Sequence, residues 1–151
     1  MSEFVKADYV FIDAAATTKD EALEFLSDKA LELGITDDRE ATLAAFKERE
    51  AEGTTGMMGG FAIPHAKSDA IKDAAVFVAK FDNDVAWDSM DGKPIKVAIA
   101  LLVPGGEAGT THLQLLSKVA VMLMDEGFRS ETLAATGADE IAARINTGLN
   151  A

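Results

Sequence analysis

The run Ile95-Lys-Val-Ala-Ile-Ala-Leu-Leu-Val103 constrains the fold more than any other part of the sequence. It is rich in β-forming residues and only Lys96 is polar, so the pattern predicts a strand that is buried on both faces. Such a strand requires a covering layer against each face of its sheet. Ala75 to Phe81 is a second β-rich run, and the turn-forming pair Asp91-Gly92 between the two runs predicts antiparallel neighbours.

Helical patterns dominate most of the remaining chain. From Thr18 to Leu33 apolar residues recur at spacings of three and four, Thr18 and Glu21 match a capping box, and Gly34 suits the residue after a helix. Asp8 to Asp13 is predicted to be an opening strand. Further helices are predicted over residues 37–53, 113–123, 128–135 and 138–146. Together these elements predict an α/β fold with a mixed sheet that is covered on both faces.

Length and charge narrow the possible functions. A chain of 151 residues is long enough for one self-sufficient core, so a single domain over residues 1–151 is expected. The 14 Lys and Arg against 26 Asp and Glu leave a net charge of −12, which argues against nucleic acid and anionic membranes as partners. No Cys is present, which excludes disulfides and thiolate chemistry. The first 16 residues are too charged for a signal peptide and no apolar run could span a bilayer, so a cytoplasmic protein is expected.

His65 has the sequence context of a functional residue. It follows a glycine-rich segment, residues 53–60, and the apolar triplet Phe61-Ala-Ile63. Pro64 cannot donate a hydrogen bond to a sheet, so a short strand is predicted to stop there and to present His65 at its end. Functional side chains of α/β proteins lie at such rims, which favours a functional role over a merely satisfied interior histidine.

His112 has a different context. Thr111 and Gln114 match a capping box, and with Thr111 as the N-cap His112 would occupy the first helical position. Unpaired backbone N–H groups and the positive end of the helix dipole make that position a binding site for anions. An exposed first-turn residue without a role fits the spacing equally well.

Arg49 is the third candidate. A helical wheel places Arg49 and Glu50 on the same inward face as Phe46, where charge is unusual. Arg49 could direct its guanidinium toward an anion near the glycine-rich segment. Alternatively, it extends its charged end to solvent from the end of the helix, where the dipole also favours a cation.

Several common active-site motifs are absent from the sequence. The segment from Gly60 to Ser68 lacks the glycine that a P-loop needs directly before its lysine, and no G-x-G-x-x-G or G-x-S-x-G pattern occurs. A nucleotide site and a serine hydrolase are therefore disfavoured. A small hydrolase or a metal-binding protein using His65, His112 and Asp69 is left as a minor alternative.

Several segments of the chain together resemble the signature of the fructose/mannitol class of enzyme IIA proteins of the bacterial phosphoenolpyruvate-dependent sugar phosphotransferase system. They are Arg49-Glu50, Thr55-Gly56, Phe61-Ala-Ile-Pro-His65-Ala-Lys67, Trp87, Asp91-Gly-Lys-Pro94, Thr111-His-Leu-Gln-Leu-Leu-Ser117 and Ala138-Asp-Glu-Ile141. Their order and spacing resemble those of the family over nearly the whole chain. Met58, Gly59 and Phe61 depart from the family pattern, which usually has glycine, an acidic residue or Asn, and an aliphatic residue at these positions.

The resemblance implies a three-layer α/β/α domain with a mixed sheet, and a phosphoryl relay. His65 would accept a phosphoryl group from the phosphocarrier protein HPr and pass it to a cysteine of an enzyme IIB, whose membrane partner IIC imports the sugar. His112 and Arg49 would stabilise the phosphoryl group. Neither a cofactor nor a metal is implied, and the signature looks more fructose-like than mannitol-like.

A regulatory function is the main alternative within the resemblance. Members of the nitrogen-related phosphotransferase branch use the phosphohistidine state as a signal instead of passing the group to a sugar. Because both functions need the histidine, the presence of His65 does not separate them.

Overall fold

The computed structural model describes residues 5–106 and 110–149, and the side chains of residues 110–113 lie outside this description. The described strands are β1 (Val10–Ala14), β2 (Phe61–Ala62), β3 (His65–Ser68), β4 (Ala75–Val85) and β5 (Ile95–Pro104). The described helices are α1 (Lys19–Glu32), α2 (Arg39–Ala51), α3 (Thr110–Met122), α4 (Glu126–Ala134) and α5 (Ala138–Leu149), and a 3₁₀ turn (Ala7–Tyr9) precedes β1.

The predicted doubly buried strand is β5, which lies inside the sheet. The strand order is β1, β4 and β5, with β2 and β3 one after the other along the outer side of β5. β4 and β5 are antiparallel, whereas β1 is parallel to β4, and β2 and β3 are parallel to β5. All residues of β5 from Val97 to Val103 are buried. The predicted mixed sheet and its antiparallel central pair are therefore confirmed.

Helices cover both faces of this sheet, and β5 divides its side chains between them. Ala98, Ala100 and Leu102 pack in one apolar cluster with residues of α1 and α2. The alternate residues Val97, Ile99 and Leu101 pack in a second cluster with residues of α3, α4 and α5. Since successive side chains of a strand point to opposite faces, one strand supports both cores. The predicted three-layer α/β/α arrangement is confirmed.

The first helix starts at the predicted Thr18 cap, and Asp38 caps the second helix. The Thr18 hydroxyl accepts a hydrogen bond from the Glu21 N–H at 3.2 Å, and Asp38 accepts one from the Ala41 N–H at 3.1 Å. The Glu21 carboxylate accepts from the Thr17 N–H at 2.8 Å. In a standard capping box it would accept from the N–H of the N-cap residue itself, which is Thr18. Asp38 thus fixes where α2 begins, and α2 is the helix that carries Arg49 and Glu50.

The position of His65 differs from the prediction. His65 opens β3 instead of following the last strand residue, because the edge segment resumes its pairing with β5 directly after Pro64. The missing N–H of Pro64 interrupts the segment without ending it, since an edge strand tolerates proline. The short strand does end before Pro64 as predicted, but the prediction did not include the further strand that begins at His65.

Most predicted element boundaries are shifted by up to four residues, and the starts of β1 and α3 are two of them. Asp8 and Tyr9 belong to the 3₁₀ turn, so the opening strand begins only at Val10. α3 begins at Thr110, which puts Thr111 inside the first turn instead of at the N-cap, and makes His112 the third helical residue. Capping preferences are statistical, so a Thr-based motif alone did not fix this boundary.

Substituting Asp38 by Ala should destabilise the protein by about 1 kcal/mol, because α2 would lose its N-cap acceptor. In a protein of this size that corresponds to a fall in Tm of about 2–4 °C. Asp37→Ala is the matched control, since Asp37 is also an exposed acidic residue but has no side-chain role in the cap. Thermal melts of the two variants should therefore differ, and equal Tm values would contradict the assigned cap.

Candidate active site

The C-terminal turns of α2 and the edge of the sheet enclose a cavity of about 170 Å³. α2 packs against β3, which brings the end of the helix over the start of the strand. The charged or titratable residues that line the cavity are Glu48, Arg49, Glu52, His65 and Lys67, and Leu101 and Val103 of β5 form part of its apolar wall. Two of the three site residues predicted from the sequence, His65 and Arg49, therefore share one cavity.

Backbone hydrogen bonds hold the residues on both sides of the Pro64 interruption. Ile63 donates its N–H to the carbonyl of Thr55 at 3.1 Å, and the carbonyl of Pro64 accepts from the Leu101 N–H at 2.9 Å. His65 then pairs with Leu101 in the register that β2 already has with β5. These bonds fix the backbone of His65 at the mouth of the cavity.

The imidazole of His65 is held in its neutral form. The side chain is half-buried, and its Nδ1 atom is buried without a hydrogen-bond partner among the described residues. Burial lowers the pKa of His65, because it disfavours the charged imidazolium, and the positive charge of Arg49 lowers it further. The backbone of Ile63, the carboxylate of Glu50 and the backbone of Pro64 have smaller, opposite effects on this pKa. The two larger effects both favour the neutral imidazole.

The guanidinium of Arg49 is held by a backbone carbonyl. Its Nη1 atom donates to the carbonyl of Gly53 at 2.7 Å, directly after the end of α2. Within residues 5–106 and 110–149 no salt bridge involves Arg49. A partly exposed guanidinium with free N–H groups can bind the oxygens of an anion that enters the cavity.

Glu50 is a structural part of the site that the sequence interpretation gave no role. Its side chain is 7% exposed. Its carboxylate accepts hydrogen bonds from the N–H of Thr55 at 3.2 Å, from the Thr55 hydroxyl, and from Nε1 of Trp87 at 3.2 Å. The signal available in the sequence was the position of Glu50 on the inward face beside Phe46, but the partners of the carboxylate could not be read from that pattern.

The side chain of His112 lies outside the described residues. Its backbone belongs to the first turn of α3, the next described element after β5 along the chain. Asp69, proposed as a third ligand or catalytic group in the hydrolase and metal alternatives, follows β3 and does not line the cavity. Among the described residues no group of three or more His, Cys, Asp or Glu side chains could hold a metal ion.

None of the described helices combines the length and the apolar character that crossing a bilayer requires.

A neutral histidine and an unneutralised arginine on one cavity, carried by a three-layer α/β/α fold, define a site with a nucleophile and an anion-binding group. Residues 3–148 match the family model described as phosphoenolpyruvate-dependent sugar phosphotransferase system, EIIA 2, and the chain belongs to this family. Its members are phosphotransferase components that carry phosphohistidine. The resemblance noted in the sequence is confirmed.

Individual relatives within the family differ in the role that their names give. A PTS system fructose-specific EIIA component from Haloferax volcanii is 40% identical over 135 residues, covering 89% of this chain and 87% of the relative. A PTS system 2-O-alpha-mannosyl-D-glycerate-specific EIIABC component from Escherichia coli is 33% identical over 140 residues, which are 92% of this chain but 21% of that longer protein. The crystal structure of nitrogen regulatory protein IIA-Ntr from Neisseria meningitidis has a TM-score of 0.87 and 27% identity, covering 95% of this chain and 97% of that one.

Substituting Arg49 by Gln should raise the pKa of His65, because the cation that disfavours the imidazolium is removed. In the unchanged protein NMR titration of the imidazole should give a midpoint below the ordinary value of 6.5. The matched control is Lys47→Gln, which removes a positive charge from the exposed side of the same helix. An equal shift in both variants, or none in the Arg49 variant, would contradict a guanidinium next to His65.

Proposed function

We propose that the protein relays phosphoryl groups for sugar uptake, with His65 as the residue that is phosphorylated. His65 accepts the phosphoryl group from phospho-HPr and passes it to a cysteine of an enzyme IIB, which serves a membrane component IIC. The observation that carries the proposal is the neutral imidazole of His65 beside Arg49 on one cavity, in a chain of the EIIA 2 family. The single-domain organisation and the cytoplasmic location expected from the sequence are part of this proposal.

The proposed transfer uses the nitrogen of His65 that is not buried. Because Nδ1 is buried, the lone pair of Nε2 is the one available to attack phosphorus. The N–P bond of the donor breaks as the Nε2–P bond forms, and the bonding electron pair returns to the donor nitrogen. A depressed pKa favours this step, since an imidazolium has no free lone pair at Nε2.

Arg49 and His112 are proposed to stabilise the charge of the group in transfer. Phosphoryl transfer needs in-line positioning and donors to the oxygens around phosphorus. The guanidinium of Arg49 can supply such donors from the wall of the cavity. In this proposal His112 is a further donor from the first turn of α3. The N-terminus of that helix adds its dipole and its free N–H groups.

A fructose-type system is the proposed destination of the phosphoryl group. The supporting observation is the fructose-specific relative, which is 40% identical over most of both chains. The relative named as an EIIABC component supports enzyme IIB and IIC as partners, although its name gives a different sugar. The alternative is a regulatory protein of the nitrogen-related branch, and the similarity to nitrogen regulatory protein IIA-Ntr supports that alternative. Transfer to the cysteine of a fructose-type IIB is required only by the transport function and distinguishes the two.

Incubation with phosphoenolpyruvate, enzyme I and HPr should add one acid-labile phosphoryl group, which peptide mapping should assign to His65. His65→Ala should abolish the label, because the nucleophile is lost. His112→Ala should slow labelling while leaving His65 modifiable, since His112 is proposed to stabilise the group and not to carry it. Label that persists in His65→Ala but disappears in His112→Ala would reverse the two assignments.

Arg49→Lys should lower the rate of transfer from phospho-HPr by about tenfold to a thousandfold, as expected for the loss of an electrostatic donor. The rate should fall because lysine lacks the planar fork of donors. The fold should be retained because lysine keeps the charge and most of the stem. Quench-flow measurement of transfer, with a thermal melt of the same sample, tests both parts. Unchanged transfer together with a lowered Tm would show that Arg49 has a structural role.

A further inference from the structure

The buried carboxylate of Glu50 is a costly feature beside a site that receives a negatively charged group. Glu50 is a buried residue whose carboxylate has lost hydration, and three converging donors from Thr55 and Trp87 replace the lost water. Its charge also repels a phosphoryl group, so it does not help the site electrostatically. Apolar residues often replace buried charges without loss of stability, so stability alone does not account for Glu50.

The hydrogen bonds of Glu50 connect α2, which carries Arg49, with the segment that leads to His65. Thr55 donates to Glu50 through its N–H and its hydroxyl, and the carbonyl of the same residue accepts from the N–H of Ile63, two residues before His65. Glu50 therefore ties α2 to the segment that leads to His65. All three links join buried groups, which restricts movement between the helix and the strand.

The hydrogen bonds between Glu50 and Thr55 also restrict the position of the Gly53 carbonyl, which accepts from Arg49. Nη1 of Arg49 donates to the carbonyl of Gly53, which lies between the end of α2 and Thr55. With Thr55 fixed by Glu50, the short connection through Gly53 has its two ends anchored. The guanidinium thus has a defined position relative to the imidazole of His65. Residues around a reactive group commonly fix its position in this way.

We propose that Glu50 is a positioning residue for phosphoryl transfer, which fixes Arg49 relative to His65 by binding Thr55. The inference rests on the proposed function of His65 and Arg49 and adds a residue that acts through them. Glu50 itself does not touch the phosphoryl group.

Two substitutions of Glu50 separate hydrogen bonding from charge. Glu50→Gln retains an oxygen that can accept from the Thr55 N–H and from Trp87, while its amide can donate to the Thr55 hydroxyl, which can reverse its role. Glu50→Ala removes every acceptor. We expect transfer from phospho-HPr to fall at least tenfold in Glu50→Ala and to stay within about threefold of the unchanged protein in Glu50→Gln. Glu40→Ala, an exposed substitution near the start of α2, is the control and should leave the rate unchanged.

A double-mutant cycle distinguishes positioning from a general loss of structure. If Glu50 acts by placing the guanidinium, Glu50→Ala should slow transfer much less in an Arg49→Gln background, where there is no guanidinium to place. An equal fold-change in both backgrounds would overturn the proposal. Thr55→Val removes the hydroxyl that donates to Glu50, and should slow transfer less than Glu50→Ala does. If Glu50→Ala does not fold, the same cycle can be measured with Thr55→Val and Arg49→Gln.

A second readout does not depend on phosphoryl transfer. Both Glu50 variants remove the same negative charge, but only the alanine variant should release Arg49, so NMR titration should give His65 a higher pKa in Glu50→Ala than in Glu50→Gln. That difference should disappear in the Arg49→Gln background. Equal pKa values in the two Glu50 variants would overturn the proposal. Failure to label His65 in the unchanged protein would overturn the proposed function, while the titration would still decide whether Glu50 positions Arg49.

Discussion

The parallel pairing of the edge segment with β5 is the interaction on which the site depends. β5 is buried on both faces, so its register cannot slip by one residue without exchanging the side chains of two cores. β2 and β3 pair with this fixed strand on either side of Pro64 in one register. His65 therefore has a fixed place opposite Leu101, and α2, packed against β3, brings Arg49 to the same cavity.

A phosphoryl group that enters the cavity has to be attracted by individual donors near His65. A net charge of −12 repels a phosphoryl group at long range, so attraction has to come from nearby donors. Arg49 is available for this role because it is held by the carbonyl of Gly53 and forms no ion pair with a carboxylate of the described residues. Burial lowers the pKa of His65 and the same cation lowers it further, so both favour the neutral imidazole. The charge of Arg49 thus favours the neutral form of His65 and is also suited to bind a phosphoryl group that His65 receives.

Local patterns predicted most of the fold. The apolar run 95–103, the cap at Thr18 and the inward face shared by Phe46 and Glu50 each depend on residues close in sequence. Contacts between distant residues could not be predicted in this way. The pairing that resumes after Pro64 depends on β5, and one of the donors to the Glu50 carboxylate is Trp87, which lies 37 residues further along the chain.

The position of the phosphoryl group on the imidazole ring tests the central claim most directly. The protein would be produced with ¹⁵N-labelled histidine, phosphorylated with phosphoenolpyruvate, enzyme I and HPr, and examined for ¹⁵N–³¹P coupling by NMR. Since Nδ1 is buried, the coupling should appear at Nε2 of His65. Coupling at Nδ1 of His65, or at either nitrogen of His112, would contradict this account of the site.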